Sequence, residues 1–218
     1  MVSLETLARL PTKPHTDERD FVYHVTLRSR LGDIVSGLAS NQSRGSQDWQ
    51  RMENLMDLVR PDCIACMGIS RVSSIYALPD SSVEAIYAKN TAPLKNGKDF
   101  LVTLEIEVDP ENVIVCDAAN ISFIVGGIRG RRKARFSKTS VEYAQRYWQA
   151  SLSLKDFRCS YSLEVNKSGL RCVRKPNVSE QLPYTFIYPE VLVPAPVNPG
   201  RLRWVSSSAR PVKEYLDW

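Results

Sequence analysis

Tyr184-Thr185-Phe186-Ile187-Tyr188-Pro189-Glu190-Val191-Leu192-Val193-Pro194 is a stretch of β-branched and aromatic residues stopped by Pro194 and Pro196. Read as one strand, it places Val191 and Val193 on one face and Glu190 and Leu192 on the other. A carboxylate pointing the same way as a leucine lies either at a wetted sheet edge or in a cleft, because burying it unpaired is costly. The fold therefore depends on whether the rest of the chain supplies partners for Glu190.

Working outward from that stretch, Phe21 to Leu27 reads as a strand, followed by helical spacing of Leu31, Ile34, Val35 and Leu38. Residues 39–50 read as a polar loop running into a helix over about 48–59, with Trp49, Met52, Leu55, Met56 and Val59 on one side and Pro61 at its end. An irregular connection is expected over 60–71 and a short strand from Val72 to Ala77. A Pro79-Asp80-Ser81 turn then caps a helix through Val83, Ala85, Ile86 and Tyr87. The clearest alternation runs from Asp99 to Val108. Phe100, Val102, Leu104, Ile106 and Val108 face one way, and Leu101, Thr103, Glu105 and Glu107 face the other. Val113 to Cys116 forms the next strand. Residues 117–137 are glycine-rich and then basic, 138–151 have helical spacing, 157–183 read as a hairpin or long loop around Asn166 to Gly169, and Arg201 to Val205 is a last strand. Helices early, strands late and no βαβ alternation predict an α+β domain with a mixed, mostly antiparallel sheet. Residues 1–19 read as an N-terminal arm, 20–206 as the domain and 207–218 as a C-terminal tail.

Among the 218 residues, no apolar run approaches the ~20 needed to cross a membrane, and the start lacks the apolar core of a signal peptide. A soluble, cytoplasmic protein with no membrane partner is expected. The five cysteines are dispersed and the histidines number two, so buried thiols are expected rather than a disulfide framework or a zinc site, with no metal. The net charge of +5 favours an anionic partner such as nucleic acid.

Three pieces follow one another along the chain. They are Tyr23-His24-Val25-Thr26 at a strand end, Ser74-Ile75-Tyr76-Ala77 with Tyr87 eleven residues after Tyr76, and Glu190 in a late strand. In this order they resemble the ADP-ribosyltransferase superfamily, in its His–Tyr–Glu class, and its toxin-like, nucleic-acid-targeting members. The resemblance spans residues 20–205 with gaps. Phe100 to Cys116 resembles the strand pair after the second motif, and Pro189 to Leu202 resembles the catalytic strand. Val25 departs from the pattern, since poly-ADP-ribosylating members have glycine there. The resemblance implies a single domain whose sheet is split around an NAD cleft, with NAD as the ADP-ribose donor. It implies that the Val25 backbone pairs with the nicotinamide carboxamide, that His24 bonds the adenosine-side ribose with support from Thr26, and that Tyr76 and Tyr87 flank the nicotinamide ring. Glu190 would accept a hydrogen bond from the nicotinamide ribose, making Glu190, Tyr76 and His24 the catalytic set. Arg71 would serve the pyrophosphate, or else be a solvated arginine.

Arginine-targeting members carry an acid two positions before the glutamate, where this chain has Tyr188. Tyr161, Tyr184, Phe186 and Tyr188 stand among Lys167, Arg171, Arg174 and Lys175, a pattern that suits stacked bases and phosphates. The basic run from Arg129 to Arg135, with Arg131, Arg132 and Lys133 at its centre, reads as a phosphate-tracking strip or a solvated loop. The expected function is mono-ADP-ribosylation of an RNA or DNA base. The alternatives are a protein side chain as acceptor, a nucleic-acid-binding module without enzymatic activity, and a scaffold. The family's setting implies a toxin with a neutralising antitoxin protein, or a phage-defence effector.

Overall fold

The computed structural model describes residues 20–27, 37–38, 47–80, 101–128, 136–166, 169–176, 178 and 185–207. The expected helices over 31–38 and 83–87, the basic run 129–135, the N-terminal arm and Tyr184 lie wholly or largely outside them. In chain order the elements are β1 (Asp20–Leu27), α1 (Gln47–Leu58), α2 (Asp62–Cys66), β2 (Ser74–Ala77), β3 (Leu101–Val108), β4 (Ile114–Asp117), α3 (Ala119–Ile128) and α4 (Lys138–Gln149). There follow β5 (Leu152–Ser153), α5 (Leu154–Ser160), β6 (Tyr161–Asn166), β7 (Gly169–Arg174), β8 (Thr185–Phe186), β9 (Pro189–Pro194), a 3-10 turn (Pro199–Arg201) and β10 (Leu202–Ser207).

The strands form three sheets, ordered β1-β3-β10, β2-β9-β4-β5 and β6-β7-β8. Every ladder among the described strands is antiparallel, so the parallel pairing of a mixed sheet does not occur among them. Among the described residues the first two sheets meet at one bridge, where Tyr23 and Leu78 exchange backbone hydrogen bonds of 2.9 and 2.7 Å.

Strand alternation divides the apolar side chains between two cores. Ile75, Ala77, Val115, Val191 and Val193 point toward Val22, Val102, Leu104 and Ile106, filling the space that also receives Phe157, Tyr161 and Phe186. The alternate residues Ile114, Cys116 and Leu192 pack with Met52, Leu55, Met56, Ile124, Tyr147 and Trp148, covering the other face of the four-stranded sheet with helices. Strand β9 is thus buried on both faces, and each fully buried Val or Leu contributes roughly 1.5–3 kcal/mol. Helix α4 is started by Ser137, whose hydroxyl accepts from the Ser140 N–H at 3.0 Å, and is tied to α1 by Trp148 Nε1 donating to the Met56 carbonyl at 2.7 Å.

Several expectations need correction. The connection 60–71 contains α2, the glycine-rich segment contains the apolar helix α3, and α5 precedes the expected hairpin, so helices and strands interleave. The stretch 184–194 is not one strand. It bends at Ile187 and Tyr188, sending β8 to β7 and β9 to the four-stranded sheet. Asp117 causes the bend, its carboxylate accepting from the N–H groups of Ile187 at 3.2 Å and Tyr188 at 2.9 Å. The second face of β3 is covered too, with Thr103 and Glu105 buried. Glu105 stands in register with Tyr23 on one side and Arg203 on the other, and the Tyr23 hydroxyl bonds to it. Of the cysteines, only Cys116 and Cys172 are buried, while Cys63, Cys66 and Cys159 are exposed.

Candidate functional site

Glu190 opens β9, which lies between β2 and β4, so the wetted-edge alternative does not hold. Its side chain points to the helix side of the sheet and is 13% exposed. The partner that receives it is Arg71, 1% exposed, in the turn leading to β2. That turn is pinned to the end of α1. The Arg71 N–H donates to Asp57 Oδ1 at 3.0 Å, and Arg60 donates to the Ile69 carbonyl at 2.6 Å.

Arg71 Nη1 donates to Glu190 Oε1 and to the Tyr147 hydroxyl, while Nε donates to Glu53 Oε2 at 2.9 Å. The Tyr147 hydroxyl donates in turn to Glu190 Oε1 at 2.5 Å. The guanidinium carbon lies 4.5 Å from the centroid of the Tyr76 ring and 5.0 Å from that of Tyr147, so two aromatic faces take part in holding the cation. The Tyr76 hydroxyl reaches Glu53 Oε1 at 2.9 Å and the Arg71 carbonyl at 2.8 Å. His24 Nδ1–H donates to the Tyr76 carbonyl at 2.8 Å. A continuous chain of bonds therefore links His24, Tyr76, Arg71 and Glu190, which are dispersed in sequence.

The electrostatics follow from burial. Desolvation alone would lower the Arg71 pKa, but Glu190, Tyr147, Tyr76 and Glu53 together hold it well above its usual value. Burial pushes the phenols of Tyr76 and Tyr147 up, so both stay protonated and act as donors. Burial, followed by the nearby Glu190, likewise raises the thiol of Cys116, the cross-strand neighbour of Glu190. One guanidinium between two carboxylates leaves a formal net charge of −1 in the cluster. Every side-chain bond of Glu190 to a described residue uses Oε1, and none uses Oε2.

The remaining predicted residues divide as follows. Val25 and Thr26 are buried on β1. Tyr23 directs its N–H and carbonyl outward to Leu78, so Val25, two residues on, directs its own backbone groups to that same edge of β1. The solvated alternative for Arg71 is corrected, since two carboxylates draw its side chain inside. Tyr188 is 45% exposed beside the Asp117 bend. Tyr161 and Phe186 cannot present their faces to bases, because both are buried and packed edge-on to each other at 5.0 Å. Tyr87, Arg131, Arg132 and Lys133 lie outside the described residues.

Two members of the cluster were not anticipated. Glu53 sits on α1 four residues after Trp49 and three before Met56, which is the apolar stripe. An acid on that stripe was the available signal. Tyr147 lies on the buried face of α4 with Ala144 and Trp148, and nothing in its local sequence distinguishes it from a core aromatic.

No family model, no curated protein and no solved structure matches the chain. Among the described residues, no group of His, Cys, Asp and Glu is placed to hold a metal ion, and no helix is long and apolar enough to cross a membrane.

Proposed function

We propose that the protein is an NAD-dependent mono-ADP-ribosyltransferase acting on a nucleic-acid base, with the cytoplasmic, antitoxin-restrained setting that such an activity requires. The observation that carries this reading is the Glu190 carboxylate, pinned through Oε1 by Arg71 and Tyr147 with Oε2 left over. NAD supplies the ADP-ribose and the nicotinamide leaving group. Glu190 Oε2 accepts from a hydroxyl of the nicotinamide ribose and holds negative charge where cleavage develops positive charge, as carboxylates do in glycosidases. A carboxylate about 4 Å from a full positive charge contributes roughly 4 kcal/mol at an effective dielectric of 20, about a thousandfold in rate.

The surplus negative charge of the Glu53–Arg71–Glu190 cluster supports the same role, because among the described residues Arg71 is the one cation paired with either carboxylate. The outward backbone edge of Val25 supports the carboxamide contact, and His24 and Thr26 lie beside it on β1. Arg71 is too enclosed to reach a pyrophosphate. Its role here is to orient Glu190. The acceptor reading rests on Tyr188 in place of an acid two positions before Glu190, and on the basic run 129–135.

Incubation with labelled NAD and cell extract, followed by separate nuclease and protease digestion, tests this. Label released by nuclease and missing from Glu190→Gln is expected. Label that resists nuclease and disappears with protease would move the acceptor to a protein side chain, and absence of any transfer or NAD binding would favour a binding module. Replacing Arg131, Arg132 and Lys133 with Ala should lower modification of every nucleic-acid sequence alike.

A further inference from the structure

We propose that Cys63 and Cys66 form a redox-active dithiol, which closes reversibly into a disulfide by exchange with a low-molecular-weight disulfide. The site does not depend on the transferase reading. Cys63-Ile64-Ala65-Cys66 makes up most of α2, and both thiols are free and exposed. Residues three apart on a helix lie about 60° from each other around its axis, with Cα atoms about 5 Å apart. Ile64 is buried, which turns its side of α2 inward and leaves the two cysteines together on the outward side. A disulfide needs Cα atoms about 4.4–6.8 Å apart, so the pair can close with the helix in place. The turn is already tightly wound. The Met67 and Gly68 N–H groups donate to the carbonyls of Ile64 and Ala65, three residues back, at 3.1 and 3.0 Å. In that winding, side chains three apart eclipse. The segment is also held on both sides of Cys66, by the buried Ile64 and Ile69 and by Arg60 donating to the Ile69 carbonyl at 2.6 Å.

Spacing, exposure and the lack of further ligands decide what the pair does. A thiolate exchanges with a disulfide only where the reagent reaches it. Gly68, two residues after Cys66, has a φ of 71° and open space where a side chain would stand, so the approach from that side is clear. Among the described residues no third Cys, His, Asp or Glu joins the two thiols in a group able to hold a metal ion, which leaves each cysteine the other as partner. One cysteine thiolate attacks a sulfur of the small disulfide. That S–S bond breaks, a mixed disulfide forms, and the released thiolate takes up a proton. The second cysteine, as thiolate, attacks the protein sulfur of the mixed disulfide. The Cys63–Cys66 bond forms and the second small thiol leaves. Two protein thiols are thus oxidised by two electrons, and one small disulfide is reduced to two thiols. A ring of four residues takes less entropy from the unfolded chain than a long loop does. An exposed bond of this kind is the labile sort that reductant reopens, not a staple for the fold.

The test incubates the reduced full chain with oxidised glutathione, without denaturant. Remaining thiols are then blocked, and the chain is digested with trypsin for mass spectrometry. Residues 52–71 form one tryptic peptide, because Arg60 precedes Pro61. That peptide should lose two hydrogens and recover them with reductant. Cys159, exposed on α5 with no other cysteine on its helix, should instead keep a bound glutathione. The buried Cys116 and Cys172 should stay unreacted. Cys63→Ser and Cys66→Ser change exposed positions and should melt with the parent. Each should hold glutathione on the remaining cysteine about tenfold longer than the parent does, because a neighbouring thiol acts at high effective concentration. Glutathione retained on both Cys63 and Cys66 of the parent would overturn the proposal. So would a bond from either cysteine to Cys159 or to a second chain, closure confined to denatured protein, or an unreacted 52–71 peptide. Glu190→Gln should close the same disulfide, so the dithiol and the transferase reading fail separately.

Discussion

Arg71 is the residue on which the cluster turns. It is buried, bonded to two carboxylates and flanked by two tyrosine rings. Removing one partner of a buried ion pair leaves uncompensated charge and costs about 3–5 kcal/mol. Arg71→Met should therefore lower unfolding free energy by about that much in urea denaturation, because Glu53 and Glu190 are left facing each other. Adding Glu190→Gln to Arg71→Met should restore part of the loss, since one orphan charge is removed with it. Fully additive losses would show that Arg71 and Glu190 are not coupled. If the proposed transferase reading holds, Glu190→Gln alone should keep the fold and most NAD affinity while transfer falls roughly a thousandfold, on the Coulomb estimate for a carboxylate beside a developing cation. Unchanged turnover would remove Glu190 from the mechanism.

At the scale of elements, Asp117 holds three pieces together. It ends β4, accepts from the Ala119 N–H at 3.1 Å at the start of α3, and accepts from Ile187 and Tyr188 in the bend before β9. Hydrogen bonds to a charged acceptor contribute about 1.5–3 kcal/mol each. Asp117→Ala should thus destabilise by about 2 kcal/mol or more, and on the proposed function it should also slow transfer by loosening the position of Glu190, two residues beyond Tyr188. Asp117→Asn keeps an acceptor oxygen and should recover part of both. If Asp117→Ala loses stability but keeps full activity, the bend is structural only. The cause of the break in the stretch 184–194 lies on β4, nearly 70 residues earlier, beyond the reach of any local pattern.

For the molecule as a whole, the buried phenols set the alkaline limit. Burial raises the pKa of Tyr76 and Tyr147 in the folded chain above the usual 10.0. Below pH 10 neither contributes a pH slope. Above it the unfolded chain loses these protons and the folded chain keeps them, so stability falls as pH rises, by up to about 1.4 kcal/mol per pH unit for each group. The thiol of Cys172, pushed up by burial from 9.0 to about 12, acts with the same sign from a lower pH. Denaturation curves from pH 8 to 11 under reducing conditions should show this decline. Tyr147→Phe should make it shallower, and an identical slope in that variant would exclude Tyr147 as a contributor.

Local sequence determined strands within Phe21 to Leu27, Asp99 to Val108 and Val113 to Cys116 and helices within about 48–59 and 138–151, and of the hairpin or long loop expected around Asn166 to Gly169 the fold forms the hairpin. These elements have one apolar face, or a turn, that local sequence encodes. Helix α3 escaped that reading because the helical spacing of Ile121, Ile124 and Val125 is short and is followed at once by Gly126, Gly127 and the basic run, residues that argue for a loop. The order of His24, Tyr76 and Glu190 along the chain pointed to one kind of chemistry, and their hydrogen-bonded continuity came from the tertiary fold. Only that fold decided that Glu190 sits on an interior strand, that Arg71 turns inward, and that Glu53 and Tyr147 join them. Buried charges are satisfied by partners brought from distant segments, and a local pattern records the need for such partners but not their identity.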